Sequence, residues 1–157
     1  MARILLSAVV LAAVMAAAQS GGKPPSVSEL PPGSSELIQP EDLVKALQSG
    51  KKPTLLYVGP RFLYSQAHIP GAEFIGSVAD TEFMDKLRKR VTTLPRNSMI
   101  VLYCGCCPWE HCPNIRPAHR ELQKMGFTRI KALYLANSFG TNWVEKGYPV
   151  EKENSGR

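Results

Sequence analysis

Cysteine is absent from almost all of this 157-residue chain: the four present lie between Cys104 and Cys112. Disulfide scaffolds spread their cysteines so that bonds staple distant segments. Four thiols in one short loop cannot do that, so a local chemical role is the better explanation. Charge of one sign is not massed either. There are 19 Lys and Arg against 13 Asp and Glu, and the basic residues are scattered apart from Lys86-Leu87-Arg88-Lys89-Arg90 on an expected helix. A nucleic-acid surface needs a clustered basic face with aromatics among it. The run reads instead as a solvated helix face, with attraction of small anions toward the cysteine loop as a weaker alternative. Nucleic acid is therefore not an expected partner. No internal repeat is found.

Long apolar runs are scarce. The one at residues 4–15 follows Arg3 and precedes Ala16-Ala17-Ala18 and Gln19. A positive start, a short apolar stretch and small residues at a cleavage point make residues 1–18 an expected signal peptide. The run is short for a membrane span, no stop-transfer flank follows it, and no cysteine near the cleavage point offers a lipid anchor. The alternative is an uncleaved N-terminal anchor. Cleavage removes only Arg3, leaving 18 basic against 13 acidic residues. The expectation is a periplasmic or secreted protein with no stable membrane insertion once the signal is cleaved.

Residues 19–35, rich in Gly, Pro and Ser, read as a linker, and one domain is expected over residues 36–151 with a polar tail at 152–157. Gln39-Pro40-Glu41-Asp42 opens a helix with proline in the first turn and acids facing the helix dipole. Leu43, Val44 and Leu47 form its apolar stripe, and Gly50 ends it. Short strands are expected at 54–58 and 72–75. Asp80 is the expected N-cap of a helix carrying Phe83, Met84, Leu87 and Val91. The β-branched and aromatic run Met99-Ile100-Val101-Leu102-Tyr103 predicts a buried strand. A helix beginning near Asn114 or Ile115 and carrying Leu122 and Met125 stops at Gly126. A last strand is expected at 129–135, and a final helix around Trp143. Strands alternating with helices imply an α/β fold, a parallel sheet covered on both faces with right-handed crossovers. Ligands of such sheets bind at the carboxyl ends of the strands, where Cys104 falls. Strand, cysteine loop and helix start are also the arrangement that favours a thiolate over a thiol.

Three motifs in this order carry a resemblance: His68-Ile69-Pro70-Gly71-Ala72 after an early strand and Tyr64, the strand Ile100-Val101-Leu102-Tyr103 delivering Cys104, and Trp143-Val144-Glu145-Lys146-Gly147-Tyr148-Pro149-Val150. Over residues 38–150 the chain resembles the rhodanese-like (sulfurtransferase) domain family. The resemblance implies a central, mostly parallel sheet with helices on both faces, and a catalytic Cys104. Its thiolate would take the outer sulfur of a thiosulfate-like anion as a persulfide and pass it to a thiol or other sulfur acceptor, without a cofactor. Loop N–H groups and the helix beginning near Asn114 would stabilise the anions.

The sequence also departs from the family pattern. Tyr57-Val58-Gly59 stands for the usual Asp-Val-Arg, Ala67 for the glycine before the histidine, and Ser138-Phe139 for a Gly-Gly pair. No cysteine has an arginine six positions on, which disfavours the phosphatase and arsenate-reductase form of the fold. Arg116 lies twelve residues beyond Cys104 and either binds an anionic donor or is a solvated first-turn residue. Trp109 either walls the pocket or packs the long loop, and Asn114 is a further substrate-binding candidate.

The enlarged loop adds Cys106, Cys107 and Cys112, which admit three readings. They resolve a persulfide or sulfenate on Cys104 as a disulfide. They form a loop-shaping disulfide such as Cys107–Cys112. Or, as the weakest alternative, Cys104, Cys106, Cys107 and Cys112 with His111 bind a soft metal. The functional alternative to a sulfurtransferase is thus a non-catalytic rhodanese-like module acting in thiol-disulfide redox or soft-metal binding. His68 is expected to fix its turn, His119 to lie on a helix surface, and Trp143 to lie in the core.

Overall fold

The fold, taken from a computed structural model, is described for residues 34–50 and 52–153. The expected signal peptide, residues 19–33 of the expected linker and residues 154–157 of the tail lie outside the described residues. Five strands form one sheet in the order β1-β5-β4-β2-β3, every pair parallel. They are β1 (Leu37–Ile38), β2 (Thr54–Tyr57), β3 (Glu73–Phe74), β4 (Met99–Tyr103) and β5 (Arg129–Leu133). Four helices alternate with them: α1 (Pro40–Gln48), α2 (Arg61–Gln66), α3 (Phe83–Val91) and α4 (Ile115–Lys124). The sheet is thus wholly rather than mostly parallel. No helix among the described residues is long and apolar enough to cross a membrane.

Side chains of a strand alternate between faces, and in β4 this splits the core in two. Ile100 and Leu102 pack with Phe83, Leu87 and Val91 of α3 and with Ile115, Ala118 and Leu122 of α4. Val101 and Tyr103 pack on the other face with Leu43 of α1, Tyr64 of α2, Phe139 and Trp143. The continuous apolar run of β4 is explained by this double cover: four of its five residues are buried because both faces carry helices.

Several boundaries differ from expectation. The strand expected at 54–58 ends at Tyr57, although the Val58 N–H still donates to the Tyr103 carbonyl at 2.8 Å. The strand expected at 72–75 is reduced to β3, and the one at 129–135 ends at Leu133. Helix α2 had no expectation attached, because only Tyr64 of its six residues is buried and no helical periodicity can show. Asp80 is not the cap of α3. Glu82 holds that position, while the Asp80 carboxylate accepts the Ser77 N–H at 2.7 Å in the preceding turn. The final helix is a single π turn, Gly140–Val144, before which Asn142 Oδ1 accepts the N–H groups of Asn137 and Ser138. Those side-chain bonds replace helical ones, so the chain turns without building a longer helix.

His119 is corrected as well. It is 3% exposed, because Ile115, Ala118, His119 and Leu122 fall on one stripe of α4 and that stripe faces the sheet. Trp143 is fully buried and its indole N–H donates to the Pro149 carbonyl at 2.8 Å. His68 holds its turn in place. Its ring stacks on Tyr64 with centroids 4.0 Å apart, its Nδ1 lies 2.9 Å from the Tyr64 carbonyl, and its backbone exchanges two 2.8 Å bonds with Glu151.

Candidate active site

Cys104 is the first residue beyond β4, at the carboxyl end of the strand central to the sheet. The alternation of β4 continues through it, so its side chain joins Ile100 and Leu102 on the α3/α4 face. Gly105 then faces the opposite side, where a Cβ would lie 2.6 Å from Phe139 Cβ. That approach is closer than any side chain allows. Glycine is therefore required by contact, and the turn throws the following residues back over the α4 start.

There the loop gathers its sulfur atoms. Cys104 Sγ lies 3.2 Å from Cys106 Sγ, and Cys106 Sγ lies 3.1 Å from Cys107 Sγ. All four cysteines are free thiols, and the Cys107–Cys112 disulfide is not formed. Cys104 and Cys112 are buried; Cys106 and Cys107 are half-buried. Asn114, 2% exposed, spans the group. Its Nδ2 donates to Cys104 Sγ at 3.4 Å and reaches Cys106 Sγ at 4.0 Å, while its Oδ1 accepts the Val78 N–H at 2.9 Å. The Val78 bond assigns the two ends of the amide, since only the nitrogen end can then donate to sulfur.

These donors decide which thiol is ionised. The Cys106 and Cys112 thiols, the Asn114 amide and the Cys106 backbone N–H all bond to Cys104 Sγ and hold it well below the ordinary thiol range, against the opposing effect of burial. Cys106 moves the other way, raised first by its bond to Cys104, then by its bond to Cys112, and also by burial. Cys112 is pushed up to about 12, again chiefly by donating to Cys104. One anion and two neutral donors share the site, and the anion is Cys104. The helix start acts at one remove from the expected place: the Ile115 N–H bonds Cys112, whose thiol in turn serves Cys104. The Tyr57 hydroxyl is pushed up by burial first and then by the negative charge of Cys104.

The other residues singled out are not all brought to the sulfur atoms. Trp109 packs the loop onto the domain, its ring edge-on to Tyr134 at 5.6 Å and its backbone N–H donating to the Ala136 carbonyl at 3.3 Å. Its indole N–H has no partner among the described residues. Arg116 sits half-buried in the first turn of α4, and His111 is exposed. Among the described residues, no group of three or more His, Cys, Asp or Glu side chains is arranged to hold a metal ion.

A cavity of about 270 Å³ opens beside Gly105, lined by Tyr57, Leu63, Gln66, Phe139, Val144 and Glu145 among others. No cysteine lines it and no cationic side chain does. Sequence reasoning missed this cavity and missed Phe139 as the partner that requires Gly105. The signal for Phe139 was its place in the Ser138-Phe139 departure, where a bulky residue stands for a small one.

A buried cysteine at the end of the central strand of a parallel sheet, ringed by donors, defines the class: an α/β domain with a cysteine loop at the carboxyl end of its sheet. The chain belongs to the rhodanese-like domain family, whose profile matches residues 39–139. Solved structures agree on the fold. The BH2092 protein from Bacillus halodurans is similar at 22% identity and a TM-score of 0.57, over 75% of this chain and 77% of that one. The rhodanese-like domain of the Alr3790 protein from Anabaena sp. gives 22% identity and 0.54, over 78% and 83%. Thiosulfate sulfurtransferase from Pseudomonas aeruginosa gives 22% and 0.53 over 76% of this chain, but that match spans only 20% of the larger protein. None of the curated proteins compared matches the chain.

Proposed function

We propose that this protein is a sulfurtransferase whose carrier is a persulfide on Cys104. The observation that carries the reading is the buried Cys104 sulfur at the end of the central strand, 3.2 Å from Cys106 Sγ and 3.4 Å from the donating Asn114 Nδ2. Thiosulfate is the model donor. The Cys104 thiolate attacks its outer sulfur, a new S–S bond forms, the old one breaks, and sulfite leaves with the electron pair. The product persulfide anion inherits the same donors, so charge moves by one bond length and the cradle need not reorganise. A thiol or another sulfur-accepting nucleophile then collects the outer sulfur and restores the thiolate. Family membership supports this chemistry, as does the likeness in fold to a thiosulfate sulfurtransferase from Pseudomonas aeruginosa. The N-terminal pattern around Arg3 and Ala16-Ala17-Ala18 supports export, with the work done in the periplasm or outside the cell.

One observation favours a second reading. Cys104 and Cys106 sulfur atoms 3.2 Å apart need only a small approach to form a disulfide, so a thiol-disulfide redox role remains the competitor. Sulfur transfer to cyanide, measured on the mature protein and on Cys104→Ser and Cys112→Ser, separates them. The sulfurtransferase reading expects activity in the parent, none in Cys104→Ser, and a reduced rate in Cys112→Ser. A parent protein with no transfer that cycles between dithiol and disulfide establishes the competitor.

A further inference from the structure

The sulfur atoms of the loop form a chain of contacts that starts at a buried thiol and continues through two half-buried ones. Cys104 is 4% exposed, whereas Cys106 and Cys107 are half-buried, and the two steps between them are 3.2 and 3.1 Å. An S–S bond is about 2.05 Å long, so an outer sulfur carried by Cys104 lies within contact of Cys106 Sγ. Asn114 reaches both Cys104 and Cys106 with one amide nitrogen, so the same donor serves the charge before and after it moves. Cys112 is buried and donates to Cys104, which makes it a support of the first thiol with no path outward.

We propose that Cys106 and Cys107 relay the sulfane sulfur outward, so that thiol acceptors too large to touch Cys104 are served at Cys107. The proposal rests on the Cys104 persulfide reading. Each hop balances without an oxidant or reductant. The Cys106 thiol gives its proton to the terminal sulfur of the Cys104 persulfide. The Cys106 thiolate then attacks that sulfur. One S–S bond forms, one breaks, and the electron pair returns to Cys104 as its thiolate. In the second hop Cys107 attacks the same sulfur, one S–S bond again forms as one breaks, and the Cys107 proton passes across their 3.1 Å contact to the departing Cys106 sulfur, restoring its thiol. The first hop takes its direction from the leaving group, because a thiol of lowered pKa departs readily and the attacking thiol of raised pKa is the stronger nucleophile once ionised; the second is drawn forward by the acceptor that consumes the sulfur at Cys107.

The test loads the mature protein with thiosulfate labelled by a heavy isotope in its outer sulfur, then maps the label by peptide mass spectrometry. The relay predicts label on Cys104, Cys106 and Cys107 in the parent, on Cys104 alone in Cys106→Ser, and none beyond Cys106 in Cys107→Ser. Turnover with two acceptors supplies a second readout. In Cys106→Ser the ratio of glutathione to cyanide turnover falls about tenfold or more, because only the small acceptor reaches Cys104. A merely structural role for Cys106 would slow both acceptors alike. Label confined to Cys104 in the parent, with an unchanged acceptor ratio in Cys106→Ser, overturns the relay and leaves the sulfurtransferase standing. A Cys104–Cys106 disulfide with free hydrosulfide also overturns it, because the second thiol then resolves the persulfide. No label on any cysteine of the parent removes the underlying reading and the relay together.

Discussion

The two faces of β4 are built from alternate residues of one strand and have opposite chemistry. On the α1/α2 side, Tyr57, Tyr64, Tyr103, Phe139 and Trp143 interlock, with Tyr57 and Tyr103 rings edge-on at 5.1 Å and Phe139 stacked on Trp143 at 6.0 Å. On the α3/α4 side aliphatic side chains predominate around Phe83 and Phe127, and the thiols extend that packing at the carboxyl end. A one-residue slip of β4 would turn Cys104 toward the aromatic face. The aromatic side therefore fixes the register that delivers the thiol to its donors, and the aliphatic side supplies the low-polarity wall on which those donors act strongly. Stability and reactivity are assigned to opposite faces.

That division can be broken from either side. The largest expected effect is on chemistry: Cys104→Ser removes persulfide formation by roughly a thousandfold or more, because the attacking thiolate is gone and Cys106 and Cys112 are held neutral, while thermal unfolding shifts little. The test is sulfur transfer alongside a melting curve. The converse change, Trp143→Ala, leaves a large cavity and a lost hydrogen bond on the aromatic side, destabilising by about 3–5 kcal/mol. Denaturant unfolding measures it, and the fraction still folded is expected to form the persulfide normally. If Trp143→Ala instead abolishes the persulfide in well-folded protein, the two faces are not separable.

The hinge between the faces gives an intermediate effect. Gly105→Ala drives a Cβ into Phe139, so about 1–3 kcal/mol of stability is lost. Phe139→Gly in the same chain removes the contacting Cβ and relieves the clash, and a double-mutant cycle is expected to show coupling; strict additivity would mean the loop moves freely away. Asn114→Ala removes a donor from Cys104, which raises its pKa, so the thiolate fraction falls most at acid pH. Alkylation of Cys104 at pH 6 should slow relative to the parent and recover by pH 9. The smallest effect concerns His119. Burial lowers its pKa, so the folded state favours the neutral ring while the unfolded chain takes up a proton below about pH 6.5. Stability contributed above that pH is lost as pH falls, and His119→Gln should flatten the acid limb of a plot of Tm against pH.

The same distinction explains what could be read in advance. Period and burial made β4 and α4 legible, since Met99-Ile100-Val101-Leu102-Tyr103 admits few other readings and the cysteines mark where it ends. Asn114 was visible as a residue near the helix start, but its work depends on Val78, 36 positions away, fixing the amide's orientation. The parity that places Cys104 with α4 depends on which helices cover which face, which no local pattern contains. His119 misled because histidine on a helix usually faces water, and only its spacing from Ile115 marks it as inward. Asp80 misled because its carboxylate had two nearby turns to serve.

The most direct measurement of the central claim is site-resolved alkylation of the reduced protein across pH 5 to 9, read by peptide mass spectrometry. A Cys104 held as thiolate by its neighbours is labelled at a nearly constant rate from pH 8 down through pH 6, whereas an ordinary thiol loses about tenfold per unit below pH 8.5. In the same samples Cys106 and Cys112 stay unreactive until well above neutrality. Four cysteines titrating together near pH 8.5 would contradict the assignment of the anion to Cys104, and with it the chemistry proposed for the loop.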